Sequence, residues 1–302
     1  MTIETLHWST QISYPILTVL QLLPLVTVLL LWFMRQHKWL VPGGVVAALL
    51  EFLVSVDLWR HYDTDVAGFQ FAEQVRIVPQ LTYHAGVDGI SVIFILLTGL
   101  LTLLVTLYGI VRDLKPFNRL YMVVFAVQAC LMGLFVTLNL LWFVLLSAVQ
   151  IGFIGYLLWR WGNSPDKELA LKRFYQFMSV SVMLLIAGTL LLGWNYSDSH
   201  AGVWSFNLLH LAQTPVSETF RSAAFFLLFY GLAIRTPLFP LHGWLPMIAE
   251  HGNVAVAPTL LLGLKIGIYG LLRFVLPLLP GAVIEWHNYV ALFALTGIFY
   301  AA

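Results

Sequence analysis

The sequence predicts an all-α fold, a polytopic transmembrane bundle of about nine helices, and three observations predict it. Of the 302 residues, 60% are hydrophobic and only 10% are charged, with a mean hydropathy of +0.89. A water-soluble globule of this size must clothe itself in polar groups, and this chain has too few of them. Apolar runs of about 20 residues, the length a helix needs to cross the hydrocarbon core, recur along the chain. Strand-like alternation over such lengths is absent, and inside lipid a helix pairs its backbone groups within its own segment.

In order, the spans fall at about 14–34, 39–57, 89–111, 120–138, 140–159, 174–194, 222–241, 254–279 and 286–302. The residues before the first, MTIETLHWSTQISYP, contain no Lys or Arg, unlike the start of a cleaved signal peptide, so the first span is expected to be retained. A long loop at 58–88, with Tyr, Asp, Glu, Pro and Gly, separates spans two and three. A second, at 195–219, opens with Asn-Tyr-Ser-Asp-Ser-His and separates spans six and seven. Neither loop is a linker between domains, so residues 1–302 form a single transmembrane domain. In the seventh span Pro237 and Pro240 each remove a backbone donor, which predicts a break between Ile234 and Pro240. The ninth span stops at Tyr300-Ala301-Ala302 without a polar flank, as expected of a span that continues further or is completed by a separate partner.

Loops alternate between the two sides of the membrane. One side carries Arg35, Lys38, Arg112, Lys115, Arg119, Arg160, Lys167, Lys172 and Arg173; the other carries Arg60, Arg76, Arg221 and Arg273. Nine against four makes the first side cytoplasmic and puts the N-terminus outside, in a membrane of the bacterial inner type.

Composition excludes several classes of function. A net charge of +1 offers no basic field for nucleic acid. The single cysteine, Cys130, excludes an internal disulfide and any cysteine-ligated iron–sulfur or zinc site made by this chain alone. No glycine-rich nucleotide loop occurs, and the nine histidines lack metal-site spacing. No catalytic group, cofactor or metal is therefore expected, and the lipid bilayer is the first partner.

A charge at the bilayer centre costs about 2.5–3.5 kcal/mol on insertion scales, so charged residues within spans are the functional candidates. Lys265, in APTLLLGLKIGIYGLLRF, is expected to be buried, facing the bundle interior, as a titratable relay. Its bland reading is a lysine pinned by carbonyls. Arg235 precedes the proline break, where broken helices line cavities and ion sites; it keeps its proton, so it sets a field but does not relay. His242, in PLHGWLP, is either a proton-path residue or an interface histidine. Glu51 in the second span, Gln150 in the fifth and His251 beside Glu250 are accessory candidates. For Gln150 interhelical hydrogen bonding is the simpler role. His84 and Asp88 lie in YHAGVDGIS, where Asp88 is placed to cap the third span by accepting from Ile90 or Ser91.

Taken together, YHAGVDGIS followed by ILLTGLLTLLV, then IRTPLFPLHGWLP, then LLLGLKIGIYGLLRF resemble the antiporter-like, proton-channel subunits of respiratory complex I, subunit M type. That superfamily also contains Mrp-type antiporters, membrane-bound hydrogenases and inorganic-carbon uptake complexes. The order and spacing match from about residue 70 to residue 280. The resemblance implies a fold of fourteen helices with two inverted five-helix repeats. Here spans one to three would occupy about 14–111, the first repeat about 120–279 and the start of the ninth helix about 286–302. It also implies a glutamate on helix five, a lysine on helix seven and a lysine or histidine on helix eight. This sequence has Ala148 and Arg235 at the first two positions and Lys265 at the third. The segment MIAEHGNVAVAPT after the break departs from the family as well.

The resemblance implies a non-catalytic subunit of an NADH:quinone oxidoreductase-like translocase, with no redox centre of its own. It would support proton or cation translocation among other membrane subunits, one of which supplies the missing C-terminal helices. Two other readings stand beside it: a non-pumping scaffold, and a subunit of a CO2 or bicarbonate uptake complex.

Overall fold

The computed structural model describes residues 6–8, 14–34, 37–78, 81–162, 164–251 and 257–301. Six long helices lead the chain: α1 (Ile16–Phe33), α2 (Leu40–His61), α3 (Gly89–Val111), α4 (Phe117–Val136), α5 (Leu140–Trp161) and α6 (Lys167–Ser199). A short α7 (Leu208–Gln213) leads to α8 (Glu218–Arg235), α9 (Trp244–His251) and α10 (Ala257–Gly270). A π-helical turn, Leu271–Val275, continues α10 into α11 (Leu276–Leu278), and α12 (Pro280–Ala301) follows. Among the described residues, seven helices (α1–α6 and α12) are long and apolar enough to cross a membrane. The seventh predicted span, about 222–241, holds most of α8 and the turn that follows it, and the eighth holds α10, the π turn and α11.

The hub is α4. Its residues Val127–Val136 are all buried, because α1, α3 and α5 pack around it. A helix apolar on every side is stable only in such a central position or in lipid. The outer helices show the complementary pattern. Leu29 and Phe33 of α1 and Phe299 of α12 are largely exposed, as a lipid-facing surface requires. Tyr230 of α8 pairs with Tyr289 of α12, and the Trp286 indole donates to Ser222 at 3.2 Å.

The loop at 58–88 is not irregular. It holds β2 (Phe69–Val78) and β3 (Leu81–Val87), paired antiparallel, with β1 (Leu6–Trp8) alongside β2 in parallel. This sheet has a structural task at one end of the bundle. Helix α1 begins after Pro15, which caps nothing, so its first amides need an acceptor. Glu73 of β2 supplies it, accepting from the Leu17 amide at 3.0 Å, the Thr18 amide at 2.9 Å and the Thr18 hydroxyl at 2.5 Å. Tyr83 of β3 pairs with Gln21 of α1. On the other flank the α4–α5 turn threads between β3 and the approach to α7: Leu138 donates to the His84 carbonyl at 2.8 Å, and Leu208 donates to the Leu138 carbonyl at 2.7 Å. The His84 ring contacts the Asn207 amide at 2.8 Å, and burial together with His210 holds its pKa below the ordinary histidine value.

Local caps explain two other helix starts. Asp88 accepts from Ser91 at 2.9 Å to open α3, as the sequence predicts. Asn139 accepts from Leu141 and Trp142 to open α5.

Glu73→Ala should therefore leave two α1 amides, one of them buried, without an acceptor. We expect a loss of about 1–2 kcal/mol, the size of a lost helix cap, read as a lower denaturation midpoint of the protein in detergent. Glu73→Gln, which keeps one acceptor oxygen, should retain part of it.

Candidate ion-path site at the helix break

The break falls where the prolines predict. Helix α8 ends at Arg235, and residues 236–243 turn before α9 begins. The turn rearranges the last carbonyls of α8. Leu238 donates to Ala233 at 3.0 Å, one residue beyond helical spacing. The Ile234 carbonyl, which Leu238 would serve in a continuous helix, accepts instead from the Trp244 indole at 3.0 Å. Trp244 is 1% exposed, so the break is sealed by a buried side chain from the far side of the turn.

Arg235 points into protein at 3% exposure. Its Nε donates to the Ser181 hydroxyl of α6 at 2.9 Å, and that hydroxyl donates to the Gly231 carbonyl at 2.6 Å. One terminal nitrogen, Nη2, has no partner. Among the described residues no carboxylate pairs with Arg235. Beside it lies a cavity of about 20 Å³ lined by Gln150, Ile154, Phe174, Met178, Trp244 and Gly263. That is room for about one water molecule. The Gln150 Nε2, buried and without a partner, is a second donor on the same cavity. The arrangement is a fixed positive charge, two free donors and a one-water space at the broken end of a helix. It can hold an acceptor, a water or an anionic group, and it cannot itself exchange a proton.

The other sequence candidates fall elsewhere. Ala148 is partly exposed and does not line the cavity; Gln150, Ile151 and Ile154 are the α5 residues that do. The polar helix-five residue on the cavity of the fixed charge is thus Gln150. His242 stacks on Phe239, with ring centroids 5.6 Å apart, and meets Tyr300 of α12 edge-on, away from the cavity. His251, at the end of α9, contacts the Ser164 hydroxyl at 2.8 Å and lies 4.0 Å from Glu250. The departing segment after the break falls partly on residues 252–256, outside the described residues.

Lys265 corrects an expectation. It is exposed on the surface of this chain and does not face the bundle interior. The reason is the close approach of α10 to α8: a Cβ on Gly267 would stand 2.6 Å from the Leu232 carbonyl, and Gly263 lies against Ile154 and Gln150. With those glycines inward, Lys265 turns outward at helical spacing, in line with the exposed Ile268, Leu272 and Leu276.

Sequence reasoning also missed Arg273, counted above as a loop charge. It is buried in the π turn and forms a two-pronged pair with Asp88, at 2.9 and 3.1 Å. Its Nε donates to the Tyr269 hydroxyl at 3.0 Å, which donates to the Phe135 carbonyl at 2.9 Å. Ser91 completes the cluster, and the guanidinium lies 4.7 Å over the Phe69 ring. The signal available in the sequence was Tyr269 and Arg273 at i and i+4, on one face of a span that ends opposite Asp88. A cavity of about 470 Å³ opens beside this pair, bordered by Tyr62, Phe69, Ile90, Tyr269 and Leu272.

These features define a class: a polytopic helical membrane protein with a helix broken at a buried cation. Comparison with known proteins agrees. Residues 137–302, more than half of the chain, match the NADH:quinone oxidoreductase/Mrp antiporter transmembrane family, and the chain belongs to that family. It is 33% identical, over 96% of its length and 54% of the relative's, to the NAD(P)H-quinone oxidoreductase chain 4 2 of Thermosynechococcus vestitus. It is 30% identical, over 96% of its length and 60% of the relative's, to NADH-quinone oxidoreductase subunit M of Rickettsia prowazekii. A chain of respiratory complex I from Thermus thermophilus superposes with a TM-score of 0.76 at 25% identity, over 90% of this chain and 55% of that one. This chain thus spans a little over half the length of the relatives it matches.

Asp88→Ala should cost about 3–5 kcal/mol, because it strands a buried arginine. Glu285→Gln, which breaks the half-exposed pair with Arg221, should cost at most about 1 kcal/mol. Denaturation midpoints of the two variants in detergent check the ratio.

Proposed function

We propose that this chain is a membrane subunit of a complex I-like energy-transducing assembly and supports movement of protons or cations through it. The observation that carries the reading is Arg235: a buried cation with no carboxylate partner among the described residues, beside a one-water cavity at a helix break. Such a charge is costly to keep and is retained where it serves an ion path. Arg235 acts as a fixed field that sets the proton affinity of whatever occupies the cavity. Protons pass by water and by Lys265, and not through the guanidinium.

Lys265 gives the partner. A lysine on a lipid-facing strip is expensive, so a membrane segment of the same assembly covers the strip of Lys265, Ile268, Leu272 and Leu276. The C-terminal helices of the longer relatives are the natural source. Three spans precede a five-helix repeat at about 120–279 in this reading. The basic loops face the cytoplasm and the N-terminus faces outside.

A scaffold without transport is the second reading, favoured by Ala148 and Arg235 where the family is expected to hold a glutamate and a lysine. An inorganic-carbon uptake complex, in which the fixed cation would meet an anion, is a third.

Arg235→Met distinguishes the first two. Removing an unpaired buried charge should leave the fold as stable or more so. Proton or cation uptake by vesicles carrying the assembled complex should fall by about tenfold or more, a barrier rise of about 1.4 kcal/mol. Normal assembly with unchanged uptake in both Arg235→Met and Lys265→Ala would assign the chain to the scaffold reading.

A further inference from the structure

A buried acid without a partner lies well away from the break. Glu51 of α2 is 0% exposed, and neither carboxyl oxygen has a partner. Glu73 and Asp88 are the other buried acids among the described residues. Each accepts from N–H donors, Glu73 at the start of α1 and Asp88 from Arg273 and Ser91. Glu51 alone is left without a donor.

Its surroundings decide its chemistry. The buried stripe of α2 is Leu40, Gly44, Ala48, Glu51, Ser55 and Leu58. Gly44 meets the Tyr121 ring of α4, and Ser55 meets Gly99 of α3, so the stripe faces the seam between those two helices. Two turns on from the Gly44–Tyr121 contact, with α2 and α4 running the same way, Glu51 shares its depth with Gln128. One turn on from the Ser55–Gly99 contact it shares its depth with Thr102 of α3. Gln128 is 1% exposed, and both of its amide atoms lack a partner. The seam therefore holds an unpaired carboxyl and an unpaired amide at one level.

No cation faces Glu51 from any helix packed against it. Among the described residues α1 has no ionisable residue, α3 has only Tyr108, and α4 has Arg119, Tyr121 and Cys130. Arg119 is exposed at the start of α4, and the Tyr121 hydroxyl donates to the Thr106 carbonyl at 3.1 Å. On α2 itself, Asp57, Arg60 and His61 lie one and a half turns or more away, at the sheet end. A bare carboxylate is not sustained in such a place, and a proton is the one cation small enough to accompany it.

We propose that Glu51 is a proton-exchange site built into the α1–α4 bundle, with Gln128, which is not bonded to it in this structure, as the group that turns to receive it in both protonation states. When the acid is protonated its O–H donates to the Gln128 carbonyl oxygen. When it gives its proton to water, leaving a carboxylate, the Gln128 N–H2 donates to that carboxylate. An amide offers both functions from one side chain, and a leucine offers neither. This site is separate from Arg235 and Lys265, and its occupancy does not depend on the transport reading.

The test is infrared difference spectroscopy on the assembled complex in lipid, with H2O exchanged for D2O. A buried carboxylic-acid carbonyl band should appear at neutral pH, shift on exchange and vanish in Glu51→Gln. That substitution is isosteric and removes an unpaired acid, so the variant should fold. Gln128→Leu should leave the band in place but move its frequency. A band that survives Glu51→Gln, or one that does not respond to D2O, overturns the proposal. So does a spectrum with no such band, since Glu51 would then be ionised. Failure of uptake in the Arg235 experiment would leave this result untouched.

Discussion

The constraint on which the structure depends is that backbone groups must be paired where there is no water to pair them. A continuous helix meets it without effort, and α2–α6 do so. The seventh span does not, because Pro237 and Pro240 sit within it. The chain meets the resulting debt with one side chain: the Trp244 indole takes the Ile234 carbonyl. That bond holds the ends of α8 and α9 in a fixed relation, and it walls the small cavity in which Arg235 and Gln150 meet. The break is therefore a closed turn with a buried side chain bonded across it.

A second consequence concerns distance. Once α8 is broken, α10 can approach it closely, and Gly263 and Gly267 are the residues that permit this. The approach fixes the rotation of α10 about its axis. It sends Ile266 and Tyr269 inward and Lys265 outward. One geometric choice thus builds the Tyr269–Arg273–Asp88 cluster on the inner face and presents Lys265 on the outer face. The π turn at Leu271–Val275 adds one residue to the helical repeat at the point where Arg273 reaches Asp88.

Much of this was legible in the sequence. The span positions follow from apolar length alone. The break follows from two prolines and the cap at Asp88 from residue type. What was not legible has physical causes. The cost of a lysine in lipid says that Lys265 needs company but not on which side; the glycines one turn away decide that, and their effect shows only against a neighbouring helix. Phe69, Phe71, Val75 and Ile77 follow period two, yet register irregularities between Gln70 and Glu73 and between Arg76 and Val78 interrupt the pattern. A short hairpin beside long apolar runs is easily read as loop. Arg273 looked like a terminal loop charge because its partner lies 185 residues earlier. Position 148 drew attention by resemblance, whereas the side chain that reaches the cavity beside Arg235 belongs to Gln150.

The buried charges sort themselves by what surrounds them. Arg273 has a carboxylate, two hydroxyl partners and an aromatic face, so its environment is complete and its role is to lock α3 to the eighth span. Arg235 has one hydroxyl and a cavity; Glu51 has neither donor nor cation. A complete environment fixes one state and resists change. An incomplete one leaves room for a water or a proton, and its cost falls when that guest arrives. By this criterion the chain separates a structural pin at the sheet end from two unfinished polar sites in its interior. The unfinished sites differ in chemistry: a guanidinium that keeps its proton can only shape a field, and a carboxyl that can release one can carry it.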